Sequence, residues 1–277
     1  MSRAPLALIF LRRIAVILVG VYAALVGWLW WNQESLLFLP EPLPAAHDFR
    51  LPPDVYERRI PVDGATLSAL HLRLPEPGAV VFYLHGNSGN LAGWFSNHDF
   101  YREANVDLFM IDYRGYGKST GSNSSEAQLL RDVRAAWAAM SAHYADTPKV
   151  IFGRSLGSGP AAILAVDVQP SLTVLISPYC SLSEMARSAY PWAPSAILRY
   201  PLDTCAAAPG IDGPLLLVHG DGDSLIPPQQ SRRILERAPR AELAMIPGAG
   251  HNDVHRFGQY RALLRERLLA VSRSGAE

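Results

Sequence analysis

A serine flanked by two glycines lies where the sequence pattern changes from strand to helix. In VIFGRSLGSGPAA, residues 150–162, Ser155 follows an apolar β-type run and precedes a helix-like run. Gly153 and Gly157 stand on either side of it, and glycine permits the tight backbone that such a corner requires. The corner holds the hydroxyl at the end of the strand, with the N–H of Leu156 at the helix start pointing toward the same place. The stretch therefore predicts a nucleophilic serine, with an ordinary cramped turn as the alternative.

A serine hydroxyl becomes a good nucleophile when a neighbouring base takes its proton. Asp221 and Asp223 come directly after the apolar run LLLV in LLLVHGDGDSLIP, and either carboxylate is placed to orient such a base. His251 lies in a glycine-rich loop, AMIPGAGHND, after the last strand-like run. Because the ends of parallel strands meet at one edge of a sheet, we expect these side chains to meet Ser155 there and to move its proton.

A third loop supplies candidate groups for binding an anion. FYLHGNSGN, residues 82–90, is a glycine-rich stretch that follows an early apolar run. Its backbone can turn N–H groups inward, so we expect the N–H of Asn87 or Ser88 to join that of Leu156 in an oxyanion hole. The same stretch is also typical of an ordinary turn between a strand and a helix.

Five motifs occur in an order that resembles a known superfamily. HGNSGN, DYRGYGKSTG, GRSLGSG, HGDGD and GAGHNDV look like the corresponding motifs of the α/β-hydrolases, and they most resemble the membrane-anchored Bem-type branch, which includes depalmitoylating thioesterases. The chain order serine, aspartate, histidine agrees with this superfamily. The resemblance implies an esterase-like serine mechanism without a cofactor, and it selects Asp223, the last residue of HGxxD, over Asp221. Arg154 is a departure, because depalmitoylating relatives often carry glutamine before the nucleophile.

Other chemistries fit the sequence poorly. The GKS in DYRGYGKST, residues 112–120, lacks the glycine spacing of a phosphate-binding P-loop and predicts a tight turn instead. The two histidines of HNDVH, residues 251–255, lack the glutamate of a zinc protease, and the spacing of Asp221 and Asp223 does not match a calcium loop. We therefore expect no metal. The 25 acidic and 25 basic residues cancel, and no basic cluster marks a surface for nucleic acid.

The elements that must position these residues alternate regularly along the chain. Strand-like runs occur at 57–62, 66–73, 79–84, 106–112, 149–152, 173–177, 214–218 and 242–246. Helical patterns occur at 124–144, 156–168, 228–238 and 254–271. Continuous apolar runs separated by helices are typical of a mostly parallel sheet that is covered on both faces. We expect residues 55–277 to form an α/β domain of the α/β-hydrolase fold, with an eight-stranded sheet and a small cap.

The amino-terminal residues 1–31 predict a transmembrane anchor. The uncharged run IAVILVGVYAALVGWLWW would span ~27 Å as a helix, close to the ~30 Å hydrocarbon core of a bilayer. Arg3, Arg12 and Arg13 precede it, which predicts a cytoplasmic amino terminus and a catalytic domain on the periplasmic or extracytoplasmic side. A cleaved signal peptide is the alternative, although no small-x-small cleavage site follows the tryptophans. Residues 32–54 are proline-rich and predict a linker.

The two cysteines leave two interpretations open. Cys180 and Cys205 are too few for a disulfide scaffold and cannot make a zinc site alone. An oxidising compartment favours a bridge between them, whereas two buried free thiols are equally compatible with the sequence.

The substrate is predicted from the connection at residues 180–213, which is long enough for a small cap. Its apolar side chains Met185, Tyr190, Trp192 and Ile197 are candidate pocket residues, although they also suit packing of the cap onto the sheet. Together with the anchor, they predict an acyl-chain or lipid-like ester as substrate. Two alternatives stay open: a serine peptidase of the same fold, or an inactive domain that serves as a membrane-tethered binding module.

Overall fold

An eight-stranded sheet forms the centre of the molecule. The computed structural model describes residues 6–274; Arg3 and the first residues of the predicted anchor lie outside this range. The strands are β1 Val55–Val62, β2 Ala65–Leu72, β3 Ala79–Leu84, β4 Val106–Ile111, β5 Lys149–Arg154, β6 Leu172–Ile176, β7 Leu215–Gly220 and β8 Ala241–Ile246. Their order across the sheet is β8-β7-β6-β5-β3-β4-β2-β1. Only β2 runs against its neighbours in the described sheet, so the predicted mostly parallel arrangement is confirmed.

Helices cover both faces of this sheet, as the sequence predicts. The described α-helices of the chain are α1 Leu6–Leu37, α2 Leu91–Trp94, α3 His98–Glu103, α4 Glu126–Ser141, α5 Ser158–Val168, α6 Leu182–Ala189, α7 Thr204–Ala207, α8 Gln229–Arg237 and α9 Gly258–Ser274. Side chains of α4, α5 and α8 join the core on one face, and those of α3 and α9 join the core on the other. Buried along their whole length, β3, β4, β6 and β7 are the continuous apolar runs of the sequence.

The start and the buried face of helix α4 follow from its local sequence. Ser125 caps its start, because the hydroxyl accepts a hydrogen bond from the N–H of Gln128 at 3.2 Å. Leu129, Val133 and Ala136 then recur at helical spacing and are buried against the sheet.

The first helix extends further than the sequence analysis predicts. The predicted anchor ends at residue 31, but α1 continues without a break to Leu37. It is the one helix among the described residues that is long and apolar enough to cross a membrane. The residues after 31 contain neither proline nor glycine until Pro40, so nothing in them ends a helix. The proline-rich segment thus begins six residues later than expected, at residue 38.

The last turns of α1 lie on the cap, here residues 181–203, and bind it specifically. The side-chain oxygen of Gln33 accepts a hydrogen bond from the N–H of Arg199 at 2.7 Å. The guanidinium of Arg199 donates to the carboxylate of Glu34 at 2.6 Å and lies over the ring of Trp30. Because these contacts join two distant parts of the chain, they fix the direction in which α1 leaves the domain.

The cap itself is closed by a disulfide in the structure. Cys180 follows β6, Cys205 lies in α7, and their Sγ atoms are bonded. The N–H of Cys205 also donates to the carbonyl of Cys180 at 2.9 Å. The two ends of the cap are therefore held together at the base of the segment.

The segment after α1 runs along the domain surface. Leu39–Pro40 pairs in parallel with Ser88–Gly89, which belong to the glycine-rich loop after β3. Pro42 forms a further bridge with Gly117. The linker thus takes the form of a strap that contacts the loops at the carboxyl edge of the sheet.

Candidate active site

Ser155 occupies a strained corner between β5 and α5. Its φ of 52° lies in the left-handed region, which residues other than glycine rarely adopt. A Cβ on Gly153 would come within 2.5 Å of the Cβ of Ala161, and one on Gly157 would overlap the carbonyl oxygen of Leu84. The glycines therefore let α5 approach the sheet closely, and this approach forces the sharp turn that presents the hydroxyl.

The structure brings the predicted histidine and one of the two aspartates to this hydroxyl. His251 Nε2 lies 3.0 Å from Ser155 Oγ, and His251 Nδ1 lies 2.8 Å from Asp223 Oδ2. Asp221 instead accepts a hydrogen bond from the N–H of Gly248 at 2.7 Å, away from the imidazole. A continuous hydrogen-bonded row thus runs from hydroxyl to imidazole to carboxylate, which is the geometry that proton transfer from a serine requires.

Asp223 is buried and is satisfied by several donors. Its Oδ1 accepts hydrogen bonds from the N–H groups of Leu225 at 3.0 Å and Ile226 at 2.8 Å, while His219 Nε2 lies 3.3 Å from Oδ2. Burial alone would raise the pKa of Asp223, but hydrogen bonds from two histidines and a backbone N–H hold that pKa well below its usual range. The carboxylate is therefore charged at neutral pH and favours an imidazole that carries a proton on Nδ1.

The glycine-rich loop after β3 passes beside the serine. A Cβ on Gly86 would lie 3.6 Å from the Cβ of Ser155, so only a side chain's width separates the backbone of this loop from the corner. Asn87 and Ser88, the expected anion-binding residues, follow Gly86 in the chain. Leu156 is the middle residue of the short turn Ser155–Gly157 that leads into α5, and it is buried. The three residues expected to supply N–H groups thus lie on the two segments that meet at Ser155.

Two tyrosines fix the backbone of this loop by hydrogen bonds to its carbonyl groups. Tyr113 donates its hydroxyl hydrogen to the carbonyl of His85 at 2.9 Å, and Tyr116 donates to the carbonyl of Asn87 at 2.7 Å. Both belong to DYRGYGKST, which the sequence analysis correctly assigns to a turn but leaves without a role. The sequence feature that could have indicated this role is the pair of tyrosines, three residues apart, directly after a buried strand.

Arg154 is a further residue of the site, and its position could not be read from the sequence. Its side chain is only 9% exposed and turns under the histidine loop. One guanidinium nitrogen donates to the carbonyl of His251 at 3.1 Å, another lies 3.4 Å from Nδ1 of His255, and Cζ lies 5.2 Å from the centre of the Trp94 ring. These contacts connect the serine and histidine loops.

The four candidate pocket residues lie in the cap. Tyr190 and Ile197 line an apolar cavity of about 90 Å³ between the cap and α1. Trp192 packs edge-on against Tyr22 of α1, with ring centres 6.5 Å apart, and Met185 packs on the core. A role of these residues in binding substrate stays a prediction.

The chain is similar to known sequences of one family. The sequence model of the family described as "Hydrolase_4: Serine aminopeptidase, S33" matches residues 75–203. Alpha/beta hydrolase domain-containing protein 17C of Xenopus tropicalis is 33% identical over 218 residues, which are 73% of this chain and 66% of that protein. The chain thus spans just under two thirds of this relative. An uncharacterized protein of Mycobacterium tuberculosis is 30% identical over 253 residues, 87% of this chain and 88% of the relative.

Solved structures share the fold. Esterase Pf2001 of Pyrococcus furiosus superposes with a TM-score of 0.68 at 17% identity, over 85% of this chain and 98% of the esterase. Est1E of Butyrivibrio proteoclasticus, solved with ferulic acid, superposes with a TM-score of 0.64 at 20% identity, over 79% of this chain and 99% of Est1E. At such identities the likeness concerns the fold alone.

Proposed function

Because the chain belongs to the α/β-hydrolase family, we propose that it is a serine hydrolase that cleaves carboxylic esters or thioesters of acyl-chain, lipid-like substrates. The observation that carries the proposal is the hydrogen-bonded row in which His251 joins Ser155 to Asp223. Such a row at the strained corner of this fold fits acyl transfer to water.

The proposed reaction uses side chains, backbone and water. His251 Nε2 takes the proton of Ser155 as Oγ attacks the carbonyl carbon, and buried Asp223 stabilises the imidazolium that forms. The N–H groups of Leu156 and of Asn87 or Ser88 would bind the oxyanion. His251 then gives its proton to the leaving alcohol or thiol, and water releases the acid from the acyl-enzyme by the same steps in reverse.

The acyl-chain preference is proposed from the first helix and the cap. Helix α1 carries exposed apolar side chains over most of its length, and its last turns border the apolar cavity that Tyr190 and Ile197 also line. With α1 in a bilayer, this cavity would open beside the acyl chains of the lipids. The basic residues Arg12 and Arg13 near the amino-terminal end favour a cytoplasmic amino terminus and a domain on the other side.

A serine peptidase is the second candidate, favoured by the description of the matching family. An aminopeptidase needs an acidic partner for the ammonium group of its substrate. Arg154, which precedes the serine and is nearly buried, places a cation at this position instead. This charge argues for the ester or thioester reaction over removal of amino-terminal residues.

Labelling by a fluorophosphonate probe tests the proposal on the full chain in native membranes. We expect labelling that is lost in Ser155→Ala and kept in Ser124→Ala, which removes an exposed hydroxyl before α4. A folded chain that takes up no probe would indicate an inactive binding module. Nitrophenyl esters of two to ten carbons then test the substrate class, because activity that falls steadily with chain length would contradict the acyl-chain preference.

A further inference from the structure

A cleft of about 460 Å³ opens next to the proposed catalytic residues. The residue before Ser155, the residue after His251 and the oxyanion loop all contribute to its wall, through Arg154, Asn252 and Ser88. A volume of this size is within the range of small-molecule sites. The cleft therefore adjoins each of the three loops that would hold a reacting carbonyl. We call it the Arg154 cleft.

The cation in this cleft has no charged partner. Arg154 is nearly buried, and it contacts a backbone carbonyl, a ring nitrogen of His255, the face of Trp94 and the side chain of Tyr83. Within residues 8–273 no carboxylate forms an ion pair with it. Burial, together with the nearby cation, lowers the pKa of His255, so this imidazole is neutral at neutral pH. A buried charge is costly unless it is paired, and no negatively charged group in the described part of the protein compensates the guanidinium of Arg154.

Two tyrosine hydroxyls belong to the same wall. Tyr101 and Tyr260 are 5% and 6% exposed, both line the cleft, and both interact electrostatically with Arg154. Burial raises the pKa of both tyrosines, so their hydroxyls stay protonated and can donate. A guanidinium and two phenolic hydroxyls form a set of donors that suits an anion.

The cleft lies on the opposite side of the sheet from the cap. Tyr101 and Tyr260 belong to the core on the face of α3 and α9, whereas Met185 of the cap and Leu37 of α1 pack on the other core. The apolar cavity and the polar cleft are thus separated by the sheet edge that carries Ser155. This division suits a substrate with an apolar acyl part and a polar leaving group.

We propose that the Arg154 cleft binds an anionic group, a carboxylate or a phosphate, on the leaving-group part of the substrate. The proposal rests on the hydrolase function above and adds the chemistry of the second half of the substrate. Arg154 forms the ion pair that the protein alone does not supply, and the tyrosine hydroxyls complete the coordination of the anion. The exposed carboxylate of Glu41 also lines the cleft, and its repulsion opposes the attraction of an anion to Arg154.

Two esters of similar size whose leaving groups differ in charge test this proposal, and comparing their ratio between variants cancels the difference in leaving-group acidity. The octanoyl ester of 4-hydroxybenzoate has an anionic leaving group, and that of 4-hydroxybenzamide is its neutral counterpart. For the full chain in detergent micelles, we expect kcat/KM to favour the anionic ester about tenfold. Arg154→Gln should remove this preference, Arg154→Lys should retain part of it, and the exposed control Arg134→Gln should leave it unchanged. Tyr101→Phe should reduce it a few-fold.

The outcomes separate this proposal from the hydrolase function. Hydrolysis of both esters with the same ratio in the unmodified chain and in Arg154→Gln would overturn the anion site and leave the hydrolase intact. Absence of both fluorophosphonate labelling and hydrolysis would overturn the hydrolase instead. In that case the affinity of Ser155→Ala for the two esters, measured by equilibrium dialysis, decides on the cleft: equal affinities would overturn it, and a tenfold preference for the anionic ester would support it.

Discussion

At the scale of single residues, the proposed chemistry depends on keeping one carboxylate charged in a buried place. Asp223 is nearly inaccessible, and it stays ionised because backbone N–H groups and imidazole nitrogens surround it. An ionised carboxylate next to Nδ1 selects the tautomer of His251 whose Nε2 can accept the serine proton. The hydrogen bonds to Asp223 thus keep the buried carboxylate charged, and this charge sets the tautomer of His251.

Replacing this carboxylate by an amide should disable the reaction without unfolding the chain. In Asp223→Asn the amide can present an N–H to the imidazole and thereby favour the wrong tautomer, so we expect kcat to fall by about 10³- to 10⁴-fold. Ester hydrolysis by the full chain in detergent measures this. Asp221→Asn is the matched control, since it lies two residues earlier with its carboxylate on Gly248, and it should change kcat by no more than a few-fold. Equal losses in both variants would contradict the assignment.

The residues that sequence reasoning predicted and those it missed differ in one respect. Ser155 and His251 lie at strand ends within motifs, as do both Asp221 and Asp223, so strand order predicts that a serine, an aspartate and a histidine meet. The resemblance to the α/β-hydrolases was needed to select Asp223. The direction in which Arg154 points depends on packing against Trp94 and the histidine loop, which no local pattern encodes.

At the scale of elements, the corner between β5 and α5 determines how well the serine is placed. The helix lies so close to β3 that no side chain fits at Gly157. A methyl group there must push the helix away from the sheet or unwind its first turn, and either change would move Ser155.

Gly157→Ala should therefore lose both stability and probe reactivity. We expect the melting temperature of the full chain in detergent to fall by several degrees and fluorophosphonate labelling to be strongly reduced. Gly258→Ala is the control, because a Cβ at the start of α9 would meet nothing within 4 Å. A normal melting temperature and normal labelling in Gly157→Ala would show that the corner tolerates the shift.

The second prediction at the scale of elements concerns the contribution of the disulfide to stability. Bridging Cys180 and Cys205 closes a segment with a sequence separation of 25, for which loop-closure entropy corresponds to about 3.5 kcal/mol of stability. We expect Cys205→Ser to lower the melting temperature and to increase proteolysis within the cap. Thiol alkylation of the unmodified chain from native membranes, with and without reductant, tests the bridge directly: two reactive thiols without reductant would contradict it.

The pattern of elements was readable because apolar runs and their spacing are local properties. All eight strands lie within two residues of their predicted starts and ends, and the predicted sheet class is confirmed. The extension of α1 to Leu37 was missed although the sequence has no proline or glycine between residue 31 and Pro40. What the sequence does not show is that Gln33 and Glu34 contact Arg199, more than 160 residues away. The short pairing of Leu39–Pro40 with Ser88–Gly89 was equally hidden, since a proline-rich segment has no strand pattern.

At the scale of the whole molecule, a buried histidine links stability to pH. His71 is fully buried in β2 and contacts the hydroxyl of Tyr144 at 2.6 Å. Burial, helped by the cations Arg73 and Arg58, lowers the pKa of His71 from 6.5 to about 3. Between these values the unfolded chain binds the proton and the folded chain does not, so His71 makes the free energy of unfolding decrease as pH falls from about 6.5 to about 3.

Removing the titrating group should flatten this dependence. His71→Gln keeps a donor for Tyr144 but cannot take up a proton, so we expect its unfolding to bind up to about one proton fewer in this interval. Urea unfolding of the full chain in detergent at pH 7, 6, 5 and 4 measures the slope. His47→Gln, in the surface segment after α1, should keep the original slope, and a slope unaltered in His71→Gln would contradict the argument.

The unbroken α1 has a consequence for which bonds the protein can reach. Its 32 residues extend ~48 Å, more than a bilayer core needs, and the surplus is fastened to the cap by side chains instead of ending in a flexible tether. If α1 spans a bilayer as proposed, the serine hydroxyl would lie at a set height above the lipids and face a set direction. Scissile bonds at that depth would then be favoured before any pocket contacts them.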